Sequence, residues 1–191
     1  MARMNIERKE KKERLHRFVR TLFYVFLMVF SYIFMLTVKT GTALPVLLIS
    51  CAMCYALREQ PLSSAVFALF CGLMLDSAFN MLPGLNAVIL MWSALLASLL
   101  VNNILRRSLL NFIWIDLIAI ALQEFFHYSL YYFMWGYDPK GLILVRIFLP
   151  ELIYTNIAGI VMYALTGTIF RRFGAVNEHY IEEKSPDIVR E

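Results

Sequence analysis

Several ionisable side chains with the types needed for acid–base or metal chemistry lie in apolar stretches of the chain's second half. Glu124 and His127 are three residues apart, so they are neighbours on one face of a helix. Asp116 falls in the same helical sector, at about 100° per residue. Glu151 lies in the next apolar stretch. A histidine with nearby carboxylates can move protons, bind a cation or hold helices together.

Three interpretations of this group are open. A hairpin of the last two apolar stretches places Glu124, His127 and Glu151 at similar depth, with Arg146 nearer the outer surface. Ionisable residues inside a membrane usually pair with one another, which favours a structural network. A ligand or partner site, or a proton or ion path, is the second interpretation. Catalysis is the third, but it requires a nucleophile or a closed metal shell, and the sequence has no H-E-x-x-H or G-x-S-x-G motif.

The cysteines give no stronger signal of chemistry. Cys51-x-x-Cys54 has the spacing of a redox pair or half a metal site, but no second Cys/His pair accompanies it. Both residues and Cys71 lie in apolar runs, where cysteine packs as a small hydrophobe. We therefore predict no catalytic, cofactor-binding or metal-binding residue.

Composition defines the class of protein. The 191 residues are 60% hydrophobic and 17% charged, and the mean hydropathy is +0.65. Soluble domains average about 45–50% apolar and about 25% charged residues. These values predict an integral membrane protein that meets membrane lipids and no nucleic acid.

The apolar runs predict an all-α protein with six transmembrane helices. The run that starts near Thr21 is too long for a signal peptide and is expected to be the first helix. A basic cytoplasmic arm (1–20) is expected before the six-helix domain (21–170), and a cytoplasmic tail (171–191) after it. The expected spans are about 21–38, 43–57, 62–79, 85–105, 109–135 and 142–170.

The basic residues predict the orientation. With the N-terminus inside, fifteen of the eighteen lysines and arginines fall on the inner side. Lys39, Lys140 and Arg146 are the three on the outer side. This bias follows the positive-inside rule and predicts cytoplasmic termini and short outer connections.

The segment from Gly72 to Asn86 joins the third span to the fourth. Asp76 lies about one turn before the outer end of its span, where it can reach the interface or cap the next helix. Gly72 follows Ala68 by four residues, a pair that permits close helix approach. Gly84 ends the turn, and Asn86 can bond a free helix-end amide or Asp76.

These residues resemble the pattern of the MreD family, small polytopic subunits of the bacterial rod-shape machinery. The resemblance rests on Pro45 opening the second span, Gly72-Leu-Met-Leu-Asp76, Gly84-Leu-Asn86-Ala87, and Arg106-Arg107 ending the fourth span. Arg171-Arg172 after the sixth span also fits, whereas the long basic N-terminus and the Arg146/Glu151 charges are not typical.

The resemblance implies a non-enzymatic scaffold of the elongasome in the bacterial cytoplasmic (inner) membrane. Its expected partner is the single-span protein MreC, with indirect connections to MreB filaments, the RodA glycosyltransferase and a penicillin-binding transpeptidase. The MreD fold also resembles the substrate-binding subunits of energy-coupling-factor vitamin transporters, which gives a second hypothesis. Those subunits carry small residues on the first helix, whereas Phe23, Phe26 and Phe30 make this one bulky.

Overall fold

The computed structural model describes residues 2–37, 46–79, 83–105, 108–130 and 149–174. Their regular structure is helical and confirms the all-α prediction. Five of the helices are long and apolar enough to cross a membrane, so the chain is a multi-pass membrane protein. The helices are α1 (Ala2–Thr37), α2 (Leu47–Ala56), α3 (Pro61–Phe79), α4 (Leu85–Asn103), α5 (Leu109–Tyr128) and α6 (Leu149–Gly174).

The ends of several helices differ from the expected spans. Helix α1 has 36 residues, so the basic arm and the first span form one helix. Helix α5 is described as far as Tyr128 and α6 from Leu149 onward. Residues 131–148, which include Arg146 and parts of both predicted spans, lie outside the described residues, as does Pro45.

Helix α2 is shorter than the expected span over 43–57, which was itself the shortest of the six. It has ten residues, which at about 1.5 Å per residue covers about half of a typical hydrocarbon core of about 30 Å. Nine of the ten residues, Leu48 to Ala56, are buried. The apolar composition that predicted a spanning helix therefore reflects enclosure by protein.

The chain forms two compact units. One comprises Met1–Phe26 with Ala164–Glu191, and the other comprises Leu27–Tyr163. In the first, Thr168 donates its hydroxyl to the carbonyl of Ala164 on its own helix at 3.2 Å. The second unit holds α2 to α5 and the first part of α6, and the sites described below lie entirely within it.

Helix α2 packs against α3, α4 and α5 in the larger unit, and α3 packs closely along α4. Tyr55 of α2 stacks on Phe67 of α3 with 4.4 Å between ring centroids. The thiols of Cys51 and Cys71 hydrogen-bond across the same interface. All three cysteines are buried and reduced, as expected for small core residues.

The outward faces of the long helices are apolar. Phe70 on α3, Trp92 on α4 and Trp114 on α5 are each more than half exposed, at 54%, 55% and 61%. An apolar exterior around buried polar groups reverses the usual arrangement of a soluble protein. This arrangement suits helices surrounded by lipid.

Candidate functional site: two buried polar clusters

Asp76 binds the beginning of the next helix. Its Oδ2 accepts the backbone N–H of Gly84 at 2.7 Å, and its Oδ1 accepts the N–H of Asn86 at 3.2 Å. The first N–H groups of a helix have no partner within the helix, and an anion there also complements the helix dipole. Of the two places expected for this carboxylate, the structure shows the cap, because Asp76 is only 3% exposed.

Two glycines make this connection possible in different ways. A Cβ on Gly72 would stand 2.3 Å from the Cα of Ala87, so the backbones of α3 and α4 touch at this point. Gly84 has a φ of +96°, which is left-handed and favours glycine, although the space around it is open. Glycine is required at position 72 because no space remains for a Cβ, and it is favoured at position 84 because the backbone is left-handed there.

The connection extends to α5 through a pair of amides. Asn86 Oδ1 accepts a hydrogen bond from Gln123 Nε2 at 2.6 Å, and both residues are buried. Asp76, Gly84, Asn86 and Gln123 form what we call the hairpin cluster, which connects α3, α4 and α5. Such bonds between membrane helices contribute about 0.6 kcal/mol on average and about 1.7 kcal/mol at most.

A second cluster surrounds the start of α2. Ser50 Oγ lies 3.0 Å from Asp116 Oδ2 on α5 and 3.4 Å from the carbonyl oxygen of Thr155 on α6. Thr155 Oγ1 accepts the backbone N–H of Val46, just before α2, at 2.9 Å. We call Ser50, Asp116, Thr155 and Gly159 the α2 cluster, which connects α2, α5 and α6.

Asp116 is the only ionisable member of the α2 cluster, and it is fully buried. Its Oδ1 accepts no hydrogen bond from any part of the chain that the structure describes. Gly159 closes one side, since a Cβ there would lie 2.6 Å from Asp116 Oδ2 and 2.8 Å from Ser50 Oγ. Each buried unsatisfied polar atom in a native protein requires an explanation, such as a water or an ion.

Arg58 makes a third connection, beyond the end of α2. Its Nη2 donates to the carbonyl of Tyr163 on α6 at 2.8 Å, and its guanidinium lies 4.4 Å from the centre of that ring. The Tyr163 ring stacks in turn on Phe112 of α5, with 4.5 Å between centroids. From the sequence, this arginine was expected only as one of the fifteen basic residues on the inner side, but it is 7% exposed and packed within the protein.

The group expected at Glu124, His127 and Glu151 is less buried than either cluster. All three residues are only partly enclosed. Glu124 and Glu151 are close enough for their like charges to repel each other. The expected contact of Glu151 with Arg146 lies outside the described residues.

The polar side chains that α5 buries most deeply are those of Asp116 and Gln123. Asp116 and Gln123 lie seven residues apart, two helical turns on one face, with Ile120 buried between them. From the sequence, Asp116 was expected to group with Glu124 and His127, and Gln123 was not expected in that group. The spacing of seven residues from Asp116 could have identified Gln123 from the sequence. Nothing in the sequence indicated that Ser50 and Thr155 would meet.

The two clusters can position helices and bind small polar species. Among the residues with described positions, no group of three or more histidine, cysteine, aspartate or glutamate side chains has the geometry to hold a metal ion. The α2 cluster instead presents one carboxylate with neutral hydroxyl and carbonyl oxygens.

Fold and sites together define an all-α, multi-pass membrane protein whose buried polar groups connect its helices. Comparisons with protein-family models, curated proteins and solved structures give no match to the chain.

Proposed function

We propose that this protein is a non-enzymatic membrane scaffold of the MreD type. In this role it sits in the bacterial cytoplasmic membrane with both termini inside and binds an MreC-like single-span protein. Through that partner it helps connect cytoskeletal filaments to the synthases of the cell wall.

The observation that carries the proposal is that residues of the Gly72–Ala87 segment connect α3 to α4. Four of the residues on which the resemblance rests take part in one connection between helices: Gly72 permits contact with Ala87, and Asp76 caps the helix that Gly84 begins. A family pattern of scattered residues is expected when each residue has such a structural task.

The hydrogen-bond partners of the other buried polar groups also favour a scaffold. Asn86, Gln123, Ser50 and Thr155 bond to other helices. On α1, Phe26 and Phe30 present large exposed rings, at 67% and 56% exposure. Large rings therefore occupy these two exposed positions of α1, where the transporter hypothesis expects small residues.

The test is purification of the tagged chain from its native membrane in a mild detergent, with an unrelated tagged multi-pass protein as control. We expect a single-span protein with a large outer domain, together with a glycosyltransferase and transpeptidase of cell-wall synthesis. Depletion of the chain should convert rod-shaped cells to round ones. Recovery of a coupling subunit with paired ATPases, or of a bound vitamin, would replace this proposal with the transporter hypothesis.

A further inference from the structure

We propose that Asp116, Ser50 and Thr155 form a binding site for one alkali cation inside the protein. This inference concerns a bound ion and does not depend on the scaffold proposal. It starts from Asp116 Oδ1, a carboxylate oxygen that is buried and has no hydrogen bond within the described residues.

The surrounding atoms have the chemistry of a site for a hard cation. Ser50 Oγ and Asp116 Oδ2 are 3.0 Å apart, and the Thr155 carbonyl oxygen is 3.4 Å from Ser50 Oγ. Carboxylate, hydroxyl and carbonyl oxygens are ligands of hard cations, whereas thiolate and imidazole select transition metals. All three ligand residues are fully buried, at 0% exposure.

The charge of the site selects a monovalent ion. Asp116 supplies one negative charge, and Ser50 and Thr155 supply neutral oxygens. One alkali cation therefore makes the site neutral, which matters because an uncompensated charge in an apolar interior is costly. A divalent ion would leave a net positive charge, and Mg²⁺ would also need to keep several waters.

Helix packing explains how these oxygens come together. Gly159 has no side chain, so α6 comes close enough to put the Thr155 carbonyl beside Ser50. The bond from the Val46 N–H to Thr155 Oγ1 fixes the start of α2 against the same turn of α6. Three helices thus hold the ligands before an ion enters, which reduces the ordering cost of binding.

The contacts of Ser50 differ from those of three other helix serines, Ser31, Ser64 and Ser93, in a way that supports the assignment. Ser31, Ser64 and Ser93 donate to carbonyls four residues earlier, at 2.8–2.9 Å. Ser50 Oγ faces the oxygens of Asp116 and Thr155 on two other helices. Ser64 is equally buried, at 0% exposure, and is therefore a matched control.

The experiment measures thermal unfolding of the full chain in detergent while NaCl replaces choline chloride at constant ionic strength. Separate series with KCl and LiCl test ion size. An ion bound only by the folded state at about 100 times its dissociation constant should raise the Tm by roughly 5–10 °C. Asp116→Asn should abolish the sodium response and Ser50→Ala should weaken it, whereas Ser64→Ala should retain it.

Binding of radioactive ²²Na⁺ gives a measurement that does not depend on unfolding. We expect about one ion per wild-type chain, displaced by unlabelled NaCl, and none for Asp116→Asn. An equal Tm in choline and in all three alkali chlorides, or an unchanged response to these salts in Asp116→Asn, would overturn the proposal. A response to pH without one to any of the three salts would assign the site to a proton and also overturn it. Recovery of the scaffold partners is a separate result that none of these outcomes alters.

Discussion

The carboxylate of Asp76 holds the backbone N–H of Gly84 at 2.7 Å, eight residues further along the chain. The same carboxylate accepts the N–H of Asn86, and the Asn86 side chain accepts a bond from Gln123. One ionisable group near the end of α3 therefore sets the start of α4, and α4 in turn binds α5.

Replacement of Asp76 tests this cap. Asparagine keeps one acceptor oxygen, so Asp76→Asn should cost about 1–2 kcal/mol of unfolding free energy. Leucine leaves two buried N–H groups without acceptors, at about 1–3 kcal/mol each. Thermal unfolding in detergent should rank wild type, Asp76→Asn and Asp76→Leu in that order. Ser77→Ala is the neighbouring control, since Ser77 is exposed and bonds its own helix at Leu73. Equal stability of the two Asp76 variants would contradict the cap.

Alanine at the two glycines should have unequal effects. Gly72→Ala places a Cβ against the backbone of Ala87 and should cost about 3 kcal/mol or more, because backbone cannot move aside cheaply. Gly84→Ala has open space and should cost only the left-handed conformation, about 1–2 kcal/mol. The measurement is the unfolding free energy of both variants in detergent.

Ala87→Gly provides a further check on the Gly72 contact. The clash of Gly72→Ala is with the Cα and N of Ala87, which glycine also has. The double variant Gly72→Ala/Ala87→Gly should therefore remain as unstable as Gly72→Ala. Rescue by the double variant would show that the helices touch through side chains.

The Asn86–Gln123 pair is suited to a double-mutant cycle. The 2.6 Å bond between their amides should appear as a coupling free energy of about 0.6–1.7 kcal/mol when Asn86→Leu and Gln123→Leu are combined. Gln123 paired with the exposed Ser77 in Ser77→Ala should show no coupling. Additive effects for Asn86 and Gln123 would exclude a bond between them.

Arg58 should not tolerate lysine. Its planar guanidinium both donates to the Tyr163 carbonyl and lies over the Tyr163 ring, and an ammonium group cannot reproduce that geometry. Arg58→Lys should lower the unfolding free energy by about 1–2 kcal/mol. Arg58→Met, which keeps an apolar stem but no charge, should lower it further. A lysine variant as stable as wild type would show that charge alone suffices at this position.

The sequence predicted the helices well and their partners less well. Hydropathy located the long spans α3 and α4 to within about two residues, because lipid demands continuous apolar helices. The cap by Asp76 could also be predicted from the sequence, since Asp76 and Gly84 are near in sequence and a short turn limits where the carboxylate can reach.

The α2 cluster could not be predicted from the sequence in the same way. Ser50, Asp116 and Thr155 are separated by 66 and 105 residues in the pairs that contact. Their meeting depends on how α2, α5 and α6 are arranged around one another, and apolar helices carry little pattern that fixes this arrangement. The expected span over 43–57 was already shorter than the others, but its enclosure by protein was hidden, because burial in protein and burial in lipid select the same residues.

Because α2 is enclosed by later parts of the chain, it can complete its contacts only after those parts have been synthesised. The N–H of Val46 finds its acceptor on Thr155, 109 residues later, and a ribosome adding about 5–20 residues per second needs about 5–20 s to supply it. Until then the ten-residue helix lacks both the length to settle across the bilayer alone and its contacts with α6. During synthesis of the residues from α2 to Thr155, the nascent chain therefore contains an apolar segment without its final contacts. We expect the insertion machinery and its chaperones to bind α2 during this time.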